Sequence, residues 1–330
     1  MTEQKDKEGQ LTAPDHSSPG VLDDAAFQKL AELPPELEWF ANITNPNTKR
    51  AYKRDVKDFS RFLGVKEPED MRQVTRGHVL AWRHQLEEQG LAGPSIRRKL
   101  AAVSTLFAHL SDSNAIEGNP VAGVKRPISR IKEGASPALS AKQARRLLDT
   151  PDQGSLKGKR DRAILATLLF HGLRRAELCA LTVGDRQQRK GAAHLRIQGK
   201  GNKIRYLPAR PEAIQRIDDY LLEAGHGSDL KGALFRPIRN PVTGNLNKPL
   251  HPDGVYKIVK AHAETAGIAR DVPGFSTHSL RATAATIALD NGADIAKVQE
   301  WLDHVSPVTT SMYDHRQTKV EDSPTFWVKV

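Results

Sequence analysis

From Lys125 to Pro137 the chain reads KRPISRIKEGASP, a stretch with two prolines, one glycine, four cations and no periodic apolar face. Such a stretch supplies nothing to a core, so it reads as an exposed linker over residues 125–138. It divides 330 residues into two bodies, each long enough to bury a core of its own.

The first body, residues 26–124, has helical periodicity. From Thr48, the apolar residues Tyr52, Val56, Phe59 and Leu63 recur at intervals of four, three and four and share one helix face. A second helix is expected over Thr75–Gln89, with Thr75 as its N-cap and Gly90 as its stop. A third, over Pro94–Leu110, buries Ile96, Leu100, Val103, Phe107 and Leu110. Lys49, Arg50 and Lys53 flank the first apolar face, and Arg97, Arg98 and Lys99 flank the third. A charge run is ordinarily a solvated face. Two in one domain make a surface that tracks phosphates.

The second body, residues 139–330, opens on Ser140-Ala-Lys-Gln143, the pattern of a capping box. Helices are expected at Asp161–His171, ended by Gly172, and at Pro211–Glu223, Pro252–Ala266, Thr277–Asn291 and Asp294–Leu302. His194–Gln198 and Lys203–Leu207 read as two strands around the turn Gly199-Lys200-Gly201-Asn202. The expected class is therefore mainly α with a small β-sheet.

Charge is unevenly spread. The formal net charge is +11, yet residues 1–40 hold 3 Lys or Arg against 9 Asp or Glu, which leaves +17 on the rest. Residues 1–25 read as a disordered acidic leader. The basic remainder suits a polyanion, although charge alone is equally compatible with solubility. Cys179 is the single cysteine, so no intramolecular disulfide forms. Met1–Gly20 lacks the apolar run of a signal peptide, and the apolar stretch Ala163–Phe170 is too short to cross a bilayer. The expectation is a cytoplasmic protein without membrane partners. No nucleotide-binding P-loop, HExxH motif, paired-cysteine spacing or acidic metal cluster is visible, so neither a metal nor any other cofactor is expected.

What remains is a cationic set with one tyrosine. Gly172-Leu-Arg174-Arg-Ala-Glu177-Leu178 sets an arginine just past a helix end, and Lys200 sits in the turn. Thr277-His278-Ser-Leu-Arg281 puts His and Arg three apart on one helix face. His304 precedes Tyr313 by nine residues in Trp301-Leu-Asp-His304-Val-Ser-Pro-Val-Thr-Thr-Ser-Met-Tyr313. Taken singly, each has an ordinary reading. Arg174 could pair with Glu177, Lys200 could be an exposed hairpin tip, His278 a helix cap, Arg281 a surface cation, His304 a turn histidine and Tyr313 a core aromatic.

Taken in order, these segments resemble the tyrosine recombinase family, which includes phage integrases and the Xer recombinases. Its patterns G-L-R-x-x-E-L, a lysine in a G-K-G hairpin, H-x-x-R, and L-G-H with a tyrosine nine residues on all have counterparts here. The resemblance spans Ser140 to Tyr313 and extends more weakly to Thr48, Tyr52, Asp55, Phe59 and Phe62. It implies a two-domain DNA clamp, a helical SAM-like core-binding domain followed by the recombinase catalytic domain. It implies that Tyr313 attacks a DNA phosphate to form a 3′-phosphotyrosyl bond, which conserves the energy for rejoining without ATP. Arg174, Arg281 and His304 are then the donors to the phosphate, Lys200 the general acid and His278 a base or further donor. Arg175 is a candidate backbone-phosphate contact, while Glu177 and Asp185 are structural. The implied partners are double-stranded recombination sites, further copies of the chain in a tetramer on DNA, and accessory DNA-bending proteins.

The chain departs from the family pattern where Asp303 stands in place of the glycine before the second histidine. Aspartate tolerates a positive φ only at a cost and brings a negative charge beside His304, so an unusual rate or pH optimum is expected. Two other readings share these residues: a type IB topoisomerase that relaxes DNA without exchanging strands, and an inactive DNA-binding relative. The C-terminal tail from residue 314 is expected to end in an apolar segment, Phe326–Val330, that docks in cis or on a neighbouring protomer.

Overall fold

The computed structural model describes residues 34–127, 136–199, 203–240, 244–304 and 306–314. The chain falls into two compact units, residues 1–130 and 131–330. The leader 1–25, Lys200 and the tail beyond residue 314 lie outside the described residues, as does most of the linker.

In the first unit, helix α1 (Pro35–Asn42) precedes α2 (Pro46–Leu63), α3 (Pro68–Arg72), α4 (Arg76–Glu88) and α5 (Gly93–Asp112). The periodicity located α2, α4 and α5 but missed the short α1 and α3, which have too few turns to show a repeating face. Asn45 caps α2 by accepting from the amides of Asn47 and Thr48 at 2.9 and 3.2 Å. Thr75 caps α4 as expected. All five residues predicted for the buried face of α5 are buried. Phe59 of α2 meets Trp82 of α4 with ring centroids 4.7 Å apart, and Phe107 of α5 meets Phe59 edge-on at 6.2 Å.

One predicted surface residue belongs to this core. Asp55 of α2 is fully buried, and Lys99 of α5, only 8% exposed, reaches Asp55 at 3.6 Å and Asp58 at 2.6 Å. Arg98 pairs with the same Asp55. Lys99 is thus paired inside the unit rather than displayed on its surface. Its charge is consumed inside the unit, because a buried carboxylate requires a partner.

In the second unit, α6 (Ala141–Asp149) starts at the expected capping box. The Ser140 amide donates to Gln143 Oε1 at 2.9 Å and the Gln143 amide to Ser140 Oγ at 3.3 Å. Helix α7 (Leu156–His171) starts a turn earlier than predicted, at the Ser155 cap. Its residues Ala163, Ile164, Leu165, Ala166 and Leu168 are fully buried, and a helix apolar on all sides is one that others surround. After α8 (Arg175–Ala180) comes an antiparallel sheet of β1 (Arg186–Arg189), β2 (Ala192–Gln198) and β3 (Ile204–Pro208), in that order. The expected hairpin is present, with Leu195 opposite Leu207, while the polar strand β1, RQQR, carried no alternation to reveal it. Helices α9 (Pro211–Ala224), α10 (Pro252–Thr265), α11 (Ile268–Asp271), α12 (Thr277–Asp290), α13 (Ile295–Leu302) and α14 (Pro307–Ser311) complete the unit.

Candidate active site

Gly172 ends α7 in the left-handed conformation at φ 57°. A Cβ there would lie 2.5 Å from Leu302 Cδ2, so glycine lets the end of α7 pack closely against the end of α13 without displacing Leu302. This close approach brings Arg174, two residues on, beside the chain leaving α13.

Arg281 lies on α12 and is 1% exposed. It donates through Nη1 to the Gly172 carbonyl at 2.6 Å and through Nη2 to the Leu302 carbonyl. Its Nε is buried without a hydrogen-bond partner. Burial first, and then the neighbouring Arg174, push its pKa down to about 10, which leaves it charged at neutral pH. Arg174 caps α8. It donates through Nη1 to Glu177 Oε1 at 2.8 Å and through Nη2 to the Asp303 carbonyl at 3.0 Å. The predicted Arg174–Glu177 pair therefore exists and serves to hold the fork.

Asp303 adopts φ 53° and ψ 51°, the left-handed geometry expected of the family's glycine. Immediately after it, His304 Nδ1 lies 2.8 Å from Thr310 Oγ1 of α14. Its ring is 6.0 Å from that of Tyr313, centroid to centroid. Burial, then Arg281 and Arg174, lower the His304 pKa to about 4. His278, on the first turn of α12, is exposed but is also held below its ordinary value by partial burial and by Arg281, Arg174 and Arg175. Both imidazoles are therefore neutral at neutral pH, able to accept a proton or to donate one N–H. Tyr313 is 5% exposed and packs on Ala282, Ala285, Leu289, Val298 and Leu302. Burial raises its pKa, against the pull of Arg281 and Arg174, which favours the protonated phenol.

Five of the six predicted catalytic residues thus gather around the ends of α7, α12 and α13, and Lys200 is outside the described residues. The flanking hairpin strands are described, and Gly199 approaches Asp303: a Cβ on Gly199 would lie 3.3 Å from Asp303 Oδ2. Among the described residues, no group of His, Cys, Asp and Glu could hold a metal ion. Among them too, no helix is long and apolar enough to cross a membrane.

Sequence reading missed two members. Arg205 of β3 grips Glu177 with two hydrogen bonds of 3.2 and 3.1 Å and lies 3.7 Å from Asp303 Oδ2. Glu177 is 6% exposed, and Arg205 and Arg174 outweigh its burial and hold its carboxyl below the ordinary range. The signal for Arg205 was slight, one cation in a short strand. Thr310, fully buried, orients His304 and had no signal.

The candidate DNA contacts divide. Arg50, Lys53 and Arg97 are exposed. Lys49 is half-buried, with its ammonium 4.7 Å from the centre of the Phe40 ring. Arg98 pairs with Asp55, and Lys99 with Asp55 and Asp58. Arg175 lies 3.7 Å from Asp253 and over the Tyr256 ring, with two-fifths of its side chain exposed.

The model of the phage integrase family matches residues 137–319, and that of the phage integrase N-terminal SAM-like domain matches residues 42–114. Over 281 residues the chain is 34% identical to the tyrosine recombinase XerC of Pelobacter propionicus, covering 84% of this chain and 87% of that one. It is 31% identical over 278 residues to XerD of Halalkalibacterium halodurans, covering 84% and 89%. Among solved structures, a lambda integrase dimer bound to a COC′ core site aligns with a TM-score of 0.66 at 16% identity, over 87% of this chain and 80% of that one. The integrase of transposon Tn1549 in complex with circular intermediate DNA aligns with a TM-score of 0.62 at 17% identity, over 88% and 98%. These likenesses show the fold, and the family models with the curated relatives show the lineage: the chain belongs to the phage integrase family and is a site-specific tyrosine recombinase.

Proposed function

We propose that Tyr313 cuts and rejoins DNA at a specific site through a covalent phosphotyrosine, with this cluster as its active site. The phenolic oxygen attacks the scissile phosphorus while its proton passes to His278. The new Tyr–O–P bond replaces the bond to the 5′-oxygen, and Lys200 protonates that leaving oxygen. Arg174, Arg281 and His304 hold the nonbridging oxygens, and the charge that develops there meets donors already in place. The observation that carries this reading is Arg281, a buried cation that among the described residues is bonded only to carbonyls, with one further N–H unpartnered.

Residues 26–124 and 139–330 act as the two arms of a clamp joined by 125–138, with Arg50, Lys53, Arg97, Lys49 and Arg175 on DNA phosphates. The partners are duplex recombination sites in the cytoplasm, with accessory DNA-bending proteins as further partners. The working assembly is a tetramer. In support, a structural relative, lambda integrase, has been solved as a tetramer bound to a Holliday junction. Strand exchange distinguishes this reading from topoisomerase-like relaxation or inert DNA binding.

The test begins by selecting the bound site from random duplexes with the full chain. A nick placed beside the cut then traps the covalent complex. Wild type is expected to accumulate it, and Tyr313→Phe to bind the same duplex and form none. Normal trapping by the Phe variant refutes the assignment.

A further inference from the structure

Asp303 is the residue of the site that the family pattern does not account for. It occupies a left-handed conformation, φ 53° and ψ 51°, which glycine adopts freely and aspartate rarely. The fold needs the turn there, because the Asp303 carbonyl accepts from Arg174 Nη2 at 3.0 Å. That bond comes from the backbone, and any residue would supply it. The carboxylate does something separate. It lies 3.6 Å from Arg174 Nη1 and 3.7 Å from Arg205 Nη1, and it borders Gly199, the residue before Lys200.

Three guanidiniums, those of Arg174, Arg205 and Arg281, are here set against two carboxylates, Glu177 and Asp303. Their placements differ. Glu177 is 6% exposed and is gripped by both Arg174 and Arg205, as befits a structural counter-ion. The Asp303 side chain is about a third exposed, at ion-pair range but beyond hydrogen-bond range. It is a loosely held, partly solvent-exposed anion beside the guanidiniums of Arg174 and Arg205.

We infer that the Asp303 carboxylate is a resident counter-charge, one that partly neutralises Arg174 and Arg205 until DNA is bound and slows strand cleavage. This inference rests on the phosphotyrosine reading of the site. A phosphate entering the fork meets a fixed negative charge a few ångströms away, and the repulsion grows as the attacked phosphate gains charge in the transition state. The chain keeps a strained residue where glycine would be unstrained, and in exchange its arginines hold stray phosphates less tightly. Productive cleavage then depends more heavily on contacts made elsewhere along the duplex.

Two substitutions separate charge from backbone. Asp303→Asn removes the charge and keeps a side chain that tolerates the left-handed region. Asp303→Gly removes both charge and strain. Single-turnover cleavage of the nicked duplex by the full chain is measured for both beside wild type, together with the salt dependence of binding. Both variants are expected to cleave about tenfold faster. Their plots of log affinity against log salt are expected to steepen by about 0.9, because one more protein cation is free to displace a counterion. A change in turn packing alone leaves that slope where it was. Equal or slower cleavage by Asp303→Asn, with wild type still trapping DNA, overturns the inference. So does a gain confined to Asp303→Gly, which assigns the effect to backbone strain. If wild type itself traps no DNA, the phosphotyrosine reading fails first and the inference falls with it.

Discussion

Lys99 in the helical unit and Arg281 in the catalytic unit are both buried cations, 8% and 1% exposed. Their neighbours treat them in opposite ways. Lys99 meets two carboxylates, Asp55 and Asp58, so its charge is cancelled where it stands. Arg281 meets two backbone carbonyls, and among the described residues it has no carboxylate within ion-pair range. Glu177 acts on it only at longer range. Carbonyl dipoles orient a guanidinium and satisfy its N–H groups without neutralising it. The helical unit therefore neutralises its buried cation with carboxylates, while the catalytic unit holds Arg281 by carbonyl dipoles alone among the described residues. Two buried cations are thus not interchangeable. What decides their role is the partner, carboxylate or dipole.

The contrast breaks most visibly at Arg281. Arg281→Lys keeps a positive charge but loses the fork, so it cannot hold both carbonyls and a phosphate. Cleavage of the nicked duplex is expected to fall roughly a hundred- to thousandfold, the usual cost of one such donor. Duplex affinity at moderate salt should change far less. A comparable loss in both would make Arg281 a binding residue only. In the other unit, Lys99→Met should leave cleavage rate and duplex affinity near wild type and lower stability by about 1–2 kcal/mol, because buried Asp55 keeps Arg98 and loses only its second cation. Denaturant melts measure this, and an unchanged midpoint would return Lys99 to the surface set. The smallest effect belongs to the exposed cations. Arg97→Ala or Arg50→Ala should each lower the slope of log affinity against log salt by about 0.9, with little change in melting. An unaltered slope removes that residue from the DNA face.

Much of this was legible beforehand. The apolar face of α5 and the caps Thr75 and Ser140 could be read from spacing, since helix periodicity and capping are local rules. The hairpin alternation could be read for the same reason. The candidate catalytic set could be proposed because five of its residues stand in short motifs of fixed order, and Asp303 stood out as a departure from one of them. The charge runs did not reveal which cations are paired internally. KRAYKRDVKDF and SIRRKL look alike as basic stretches, and nothing local says that Asp55 will turn inward and draw Arg98 and Lys99 with it.

The sequence by itself determined the mainly helical class with its small hairpin, the glycine that stops α7 and the identity of the nucleophile candidate. These depend on neighbours within a few positions along the chain. Only the tertiary structure decided which charges cancel. Arg205 meets Glu177 across 28 residues, Arg174 meets Asp303 across 129, and Arg281 meets the carbonyl of Gly172 across 109. An ion pair forms between groups a few ångströms apart in space, and no pattern within a helix or a strand sets that distance.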